Sequence, residues 1–406
     1  MSVLYITQNG IADHIGQSQI APYVLGLADL GYQIHVLSAE KNGKRDLVAK
    51  YESLFNKAGI RWTRIPYRRR PKVVGQLVTQ WQLRQTARRI VEMENIRLVH
   101  CRSHPAALIG HYLKRRYGTK FIFDFRDFYA DGGLLKTHGL MRLAYSRIKQ
   151  LEGPMIQAAD KVICLTERAK SVLSGWYFSN TYEAGKHFQI IPCCADFNHF
   201  NPALVTKQAS AAVRQKLGLS LDETVLLYLG SLGPDYLLQK MMSLFWQLLA
   251  LRPRAKFLVV CNEGHDLVIK ECVQQGIDPA CVVVRSATRE QVPTFIRLAD
   301  FSVVFIRADI TKAGCSPTKL AELFAMNVPV IANTGVGDLD TILDLDQNGS
   351  VIVKDFLEST MAQAIEALLN HQKNSLVSIR ENSTDFDLPT GVEKYASVYS
   401  ELLGAT

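Results

Sequence analysis

The residues best suited to chemistry lie in one run, Gly314-Cys-Ser-Pro-Thr-Lys-Leu-Ala-Glu-Leu-Phe-Ala-Met-Asn-Val-Pro-Val-Ile-Ala332. Ser316 is a good N-cap and Pro317 suits the first helical position, so a helix is expected from there to about Asn327. Its free N–H groups and positive dipole end suit a phosphate. Thr318 and Glu322 are four apart and share a face. Thr318 can donate to a phosphate oxygen, and Glu322, one turn deeper, can accept from two vicinal hydroxyls such as those of a ribose. Lys319 adds a positive charge. In outline this is a site for a nucleotide diphosphate; a plain capped surface helix is the alternative.

Three other groups of residues are of types that could do chemistry. Phe121-Ile-Phe-Asp-Phe-Arg-Asp-Phe-Tyr-Ala-Asp131 places Asp124, Arg126, Asp127 and Asp131 at one strand end, where a carboxylate can act as a general base or orient a sugar hydroxyl. An Asp127–Arg126 ion pair that fixes the loop is equally compatible. Gly10 and Gly16 flank the first strand-to-helix turn, where glycine lets backbone approach a ligand closely. Asp338-Leu-Asp340 and Asp344-Leu-Asp346 are D-x-D strings. Asp344, Asp346, Asn348, Gly349 and Asp355 also imitate a calcium loop, but Val351–Val353 reads as a strand where that loop needs a helix. No metal and no cofactor is expected.

The elements that must hold these residues are legible as alternation. Short β-branched runs near 3–7, 33–38, 60–64, 97–101, 120–125, 161–165 and 187–191 are separated by helical patterns. A second series lies near 224–229, 256–261, 281–285, 301–305, 328–332 and 350–353. Alternating β and α means parallel sheets covered on both faces. Thirteen strands are too many for one such sheet, so an α/β protein of two Rossmann-like domains facing across a cleft is expected, with ligands beyond the carboxyl ends of the strands. The break falls in Pro192–Lys207. Domains are expected at 1–195 and 196–385, followed by a C-terminal helix, 386–406, returning to the first domain.

Among 406 residues, 48% are hydrophobic and 21% charged, which excludes disorder, and no apolar run approaches a membrane span. The opening Met1–Thr7 reads as a buried strand rather than a signal peptide. Eight cysteines form no C-x-x-C pair, which fits reduced thiols in a cytoplasmic protein. Residues 1–200 hold 29 Lys+Arg against 15 Asp+Glu, a net of +14; the remainder hold 18 against 23, a net of −5. Lys57 to Arg89 contains ten cations and no acid, with Trp62, Tyr67 and Trp81 interleaved. That density suits an anionic leaflet or a nucleic acid.

Six pieces, in order along nearly the whole chain, resemble the GT-B glycosyltransferases of family 4. The run 317–331 resembles the family's donor helix "PTKLxExxAxGxPVI". Asn9–Gln19 resembles its N-terminal glycine loop, Leu30–Leu37 its "GHxVHVLT", Ala159–Thr166 its "ADxVIxxS", Ile191–Asp196 its "IPNGVD", and Leu227–Ser231 its "xYxGR". The resemblance implies sugar transfer with retention, without metal, from a UDP- or GDP-sugar held by the C-terminal domain. The acceptor, a glycan or polyprenyl-linked molecule of surface polysaccharide synthesis, is implied on the N-terminal domain. A sugar-nucleotide epimerase of the same fold and a non-catalytic basic scaffold are the rivals. Gly16, Gly230, Ser231, Arg307, Ser316, Thr318, Lys319 and Glu322 are the implied donor residues. His104 and Arg102 are catalytic candidates, because the family carries a functional His at the end of the strand that here reads His100-Cys-Arg-Ser-His104; Asp127, the strand-end carboxylate of the 121–131 run, is the third. Arg126 and Asp131 are the acceptor candidates. The chain departs from the family at three points: Gly314 replaces the first Glu of E-x7-E, Ser231 replaces an Arg, and Tyr236 or Leu237 replaces a Lys. Arg307, Lys312 and Lys319 are the available substitutes for the missing cations. With this reading the basic stretch favours an anionic membrane over nucleic acid, at the inner face of the cell membrane.

Overall fold

Seven apolar runs of the first unit pair as one parallel sheet: β1 (Ser2–Thr7), β2 (Gln33–Glu40), β3 (Arg61–Pro66), β4 (Leu98–Arg102), β5 (Lys120–Asp124), β6 (Lys161–Cys164) and β7 (Phe188–Ile190), in the order β3-β2-β1-β4-β5-β6-β7. The computed structural model describes residues 2–68, 70–374 and 378–404. Arg69 of the basic stretch lies outside the described residues. The order reverses between β1 and β4, and the carboxyl ends of β1, β4 and β5 come together there. Thr7 is in register with Arg102, and Arg102 with Asp124. Both faces of the sheet are covered by helices, so Val3, Leu4, Ile6, Leu98, Val99, Phe121, Ile122 and Phe123 have no exposed surface. This is why these strands are continuous apolar runs.

The second unit repeats the architecture with β8 (Val225–Leu229), β9 (Lys256–Val260), β10 (Val282–Arg285), β11 (Phe301–Val304), β12 (Val330–Asn333) and β13 (Val351–Val353) in the order β10-β9-β8-β11-β12-β13. All thirteen expected strands form, and every pairing within the two sheets is parallel. The order reverses between β8 and β11.

The first unit comprises residues 1–193, 313–315 and 388–406; the second comprises 194–312 and 316–387. The helix Leu388–Leu403 therefore packs within the first unit, burying Val392, Tyr395, Val398, Tyr399 and Leu403. Tyr32 donates its hydroxyl to the Ala396 carbonyl at 2.9 Å. A Cβ on Gly26 would lie 2.8 Å from Val392 Cγ2, so the helix Ala21–Asp29 needs glycine there for close approach. Among the described residues no helix is long and apolar enough to cross a membrane.

Candidate functional site

In the second unit the chemistry gathers where β8 ends. Gly230 follows that strand with φ +126°, a conformation that L side chains rarely adopt. The helix Thr318–Ala325 runs alongside and delivers Lys319, only 9% exposed. The Lys319 ammonium lies over two rings, 4.2 Å from the centroid of Tyr236 and 4.5 Å from that of Tyr228. It also donates to the Tyr228 hydroxyl at 3.4 Å, and that hydroxyl in turn donates to the Ser231 carbonyl at 2.6 Å. A Cβ on residue 230 would sit 2.8 Å from the ammonium, so glycine is what lets the cation occupy the strand end. One turn further along the helix, Glu322 is 12% exposed and accepts from Arg289 Nη1 at 3.3 Å. Burial raises its pKa above the ordinary 4.5, against the opposing pull of Arg289 and Lys319.

Arg307 and Lys312 stand nearby in different states. The Arg307 backbone is fixed because Asn333, buried on β12, accepts from Ile306 N and donates to Ile306 O. Its exposed guanidinium donates to the Pro234 carbonyl at 3.2 Å. Lys312 pairs with Asp235 at 2.9 Å.

In the first unit a buried ionic cluster sits at the carboxyl ends of β4 and β5. Arg102, 4% exposed, donates from Nη2 to Gln19 Oε1 at 2.7 Å, and its Nη1 lies 3.7 Å from Asp124. Arg126 donates to Asp124 and to the Tyr395 hydroxyl, both at 3.3 Å, and to Gln19 at 3.2 Å. Burial alone would raise the Asp124 carboxyl, but Arg126, His100 and Arg102 hold it well below the carboxylate range. His100 is bonded through Nδ1 to the Tyr399 hydroxyl at 2.7 Å, its Nε2 lies 3.5 Å from Asp124, and burial lowers its pKa. In front of the cluster lies a cavity of about 340 Å³, walled by Asp13, Lys41, Tyr67, Arg102, Ser103, Arg126, Asp127, Tyr129 and Tyr145 among others.

A family profile described as glycosyl transferase 4-like domain matches residues 17–181, and one described as glycosyl transferases group 1 matches residues 223–371. The chain belongs to the group 1 glycosyltransferases. A lipopolysaccharide 1,2-N-acetylglucosaminetransferase of Salmonella typhimurium is 28% identical over 142 residues, a stretch that spans 32% of this chain and 36% of that relative. Sucrose-phosphate synthase from Thermosynechococcus elongatus matches with a TM-score of 0.73 at 16% identity, covering all of both chains. Anabaena HepE, solved with UDP and glucose, matches with a TM-score of 0.70 at 14% identity over 99% of this chain and 100% of its own. WaaG, a glycosyltransferase involved in lipopolysaccharide biosynthesis, gives 0.66 at 15% identity over 98% and 99%. At these identities the likeness is one of fold, and the fold is GT-B.

Within this glycosyltransferase the residues expected from the sequence divide sharply. Gly230, Ser231, Lys319 and Glu322 come together with Arg289, Tyr228 and Tyr236. Those last three were not expected in that role, because Tyr228 meets Lys319 across 91 residues and Arg289 meets Glu322 across 33. The donor helix begins one residue late: Pro317, not Ser316, is the N-cap, no side chain caps it, and helix runs from Thr318 to Ala325. Arg102, Arg126 and Asp127 meet at the cavity of the first unit.

Three expectations are corrected. Gly16 is buried where a Cβ would run into the carbonyls of Gly10 and Ile11, so close packing of its own loop accounts for the glycine. The amides of that loop are already taken: Glu40 accepts from Ile11 N at 2.6 Å and from Ala12 N at 3.3 Å. His104 has no exposed surface, and its Nε2 bonds Glu152 at 2.6 Å among Phe123, Phe125 and Tyr129. It is a core histidine. Asp131 is absent from the cavity wall and pairs with Lys149 at 2.9 Å, which also holds Glu152 at 2.8 Å. The D-x-D strings serve turns: Asp344 caps the amides of Asp346 and Gln347, and Asp340 accepts from Gly335 N.

Proposed function

We propose that this protein transfers a sugar, with retention, from a UDP- or GDP-linked donor held by the second unit. The acceptor is a glycan or polyprenyl-linked molecule of surface polysaccharide synthesis, bound by the first unit. The observation that carries the reading is the pairing of Lys319 at Gly230 with Glu322 one turn deeper on the same helix. The structural neighbour solved with UDP and with UDP-glucose, and the lipopolysaccharide relative, support the donor and acceptor classes.

The catalysis is electrostatic. Lys319 and the N–H groups at Thr318 stabilise the charge that grows on the departing diphosphate, from a site fixed before the reaction begins. In this chain the cation comes from the helix, in place of the Arg and Lys that the family carries after β8. Glu322, kept from water, accepts from the ribose hydroxyls, and Arg289 favours its ionised form. Ser231 and Arg307 line the approach to the diphosphate. Arg102 and Asp127 address the transferred sugar and the acceptor, with Arg126 beside them.

We further propose that the first unit rests on an anionic leaflet. The basic stretch is less bare than its sequence: Arg61, Arg64 and Arg88 pair with Glu94, Glu52 and Glu92, acids just outside it. What supports the reading is the helix Lys72–Glu94, where Val74, Leu77 and Trp81 are more than half exposed on one face. Vesicle co-sedimentation tests this: binding to anionic vesicles only, weakened by salt, is expected, and equal binding to neutral vesicles or none contradicts it.

The donor reading is tested by thermal shift of the full chain against UDP-, GDP-, ADP- and dTDP-sugars. A ligand at 100 times its Kd stabilises by about 2.7 kcal/mol. One base should give that shift, and an assay of nucleotide release with glycan acceptors should follow the same base. Equal, negligible shifts for all four sinks the reading.

A further inference from the structure

The ionic cluster of the first unit does not balance. Two guanidiniums, each at least nine-tenths buried, share one carboxylate, Asp124. Burial works against a charge on His100, and it pushes the hydroxyls of Tyr5, Tyr395 and Tyr399 further towards their protonated form. Two guanidiniums against one carboxylate leave at least one uncompensated positive charge, an expensive state for a buried group. Two of its donors, Arg102 Nη1 and Arg126 Nε, are buried without a hydrogen-bond partner. Both arginines line the cavity of about 340 Å³, whose size falls in the range of ligand pockets.

The rest of the wall agrees. The 15-residue helix Ser103–Tyr117 begins at the cavity, so its positive dipole end meets the same space. Ser103 holds φ +67°, a left-handed conformation uncommon outside glycine, at the residue that joins Arg102 to that helix. Tyr67, Tyr129 and Tyr145 supply flat apolar surface of the kind on which a sugar ring packs. Lys41, a third cation on the wall, is paired with Asp13 at 2.6 Å.

We propose that this cavity binds an oxyanion, the carboxylate or phosphate of an acidic acceptor, with Arg102 as its principal contact. The assignment of the anion to the acceptor rests on the function proposed above; the anion site itself does not.

Calorimetry on the full chain, in a buffer free of phosphate, separates the two. The probes are inorganic phosphate, glucuronate, neutral glucose and UDP. Glucuronate or phosphate should bind at least tenfold more tightly than glucose; whichever is tighter names the source of the oxyanion. Arg102→Gln should weaken that anion at least tenfold. Asp127→Asn, which removes an exposed negative charge from the wall without touching the buried cluster, should tighten it severalfold, and it keeps the test alive if Arg102→Gln fails to fold. Lys319→Met should weaken UDP and leave glucuronate unchanged. Glucose binding as well as glucuronate overturns the proposal, as does anion affinity indifferent to both first-unit variants. Phosphate binding lost with Lys319→Met alone overturns it too. UDP binding without anion binding sinks only this proposal, whereas anion binding without any nucleotide binding sinks only the donor reading.

Discussion

Replacing Lys319 with Met separates a ligand-binding cation from a structural one. Lys319 is nearly buried, and its ammonium rests on Tyr228 and Tyr236. Each cation–π contact is worth about 0.5–2 kcal/mol, but the variant also removes the cost of burying an ammonium, and Met fills a similar volume. The two effects offset, so the melting temperature should move by only a few degrees. A diphosphate would lose a hydrogen bond to a charged donor, worth about 1.5–3 kcal/mol, or roughly tenfold to 150-fold in Kd. The assay is titration calorimetry with the nucleotide sugar that stabilises the protein most, alongside the matching nucleoside, which has no phosphate. Affinity for the nucleotide sugar should fall while affinity for the nucleoside holds. A collapse in melting temperature with unchanged nucleotide-sugar affinity would refute the reasoning and make Lys319 a strut between two tyrosines.

Glu322→Ala should weaken the donor by about 1.5–3 kcal/mol in calorimetry, since a charge-assisted bond to the ribose is lost. Burial raises the Glu322 pKa, so the carboxylate protonates as pH falls towards 4.5 from above. Donor affinity should drop through that window in the wild type and show no such step in Glu322→Gln. A raised carboxyl pKa contributes stability that is present below 4.5 and lost as pH rises through the folded value. Glu322→Gln should therefore be at least as stable as the wild type at neutral pH, checked by thermal melts. Glu152 behaves in the opposite sense: burial would raise its pKa, but His104, Lys149 and Tyr177 overcome that and hold it at about 2. Its contribution is present above 4.5 and lost as pH falls from there towards about 2. His104→Ala should cost about 3–5 kcal/mol in denaturant unfolding, with donor affinity in calorimetry unchanged in the folded fraction.

The sheets were legible because a parallel strand covered on both faces must be apolar throughout. Val225–Leu229 and Phe257–Val260 announce themselves that way, and strand positions followed to within a residue or two. Thr318 and Glu322 were legible because four-residue spacing fixes a helical face, and Lys319 as the cation next to Thr318. Their partners were not. Tyr228 reaches Lys319 across 91 residues and Arg289 reaches Glu322 across 33, distances no local pattern encodes. The same limit explains the corrections. Glu40 takes the amides of the Gly10 loop from the end of β2, and Glu152 fills the side of His104 from a helix 48 residues away. A strand-end histidine and a turn glycine look alike in sequence whether they meet a ligand or a neighbouring side chain.

The central claim is that the donor sits on the Thr318–Ala325 helix. Hydrogen exchange of the full chain with and without the stabilising nucleotide sugar tests it directly, since bound ligand slows local opening where it makes contact. Protection should concentrate at residues 228–232 and 316–322, with little change in the first-unit loop at residues 9–16, whose amides Glu40 already holds. Protection confined to the first unit, with residues 316–322 exchanging as fast as before, would contradict the account.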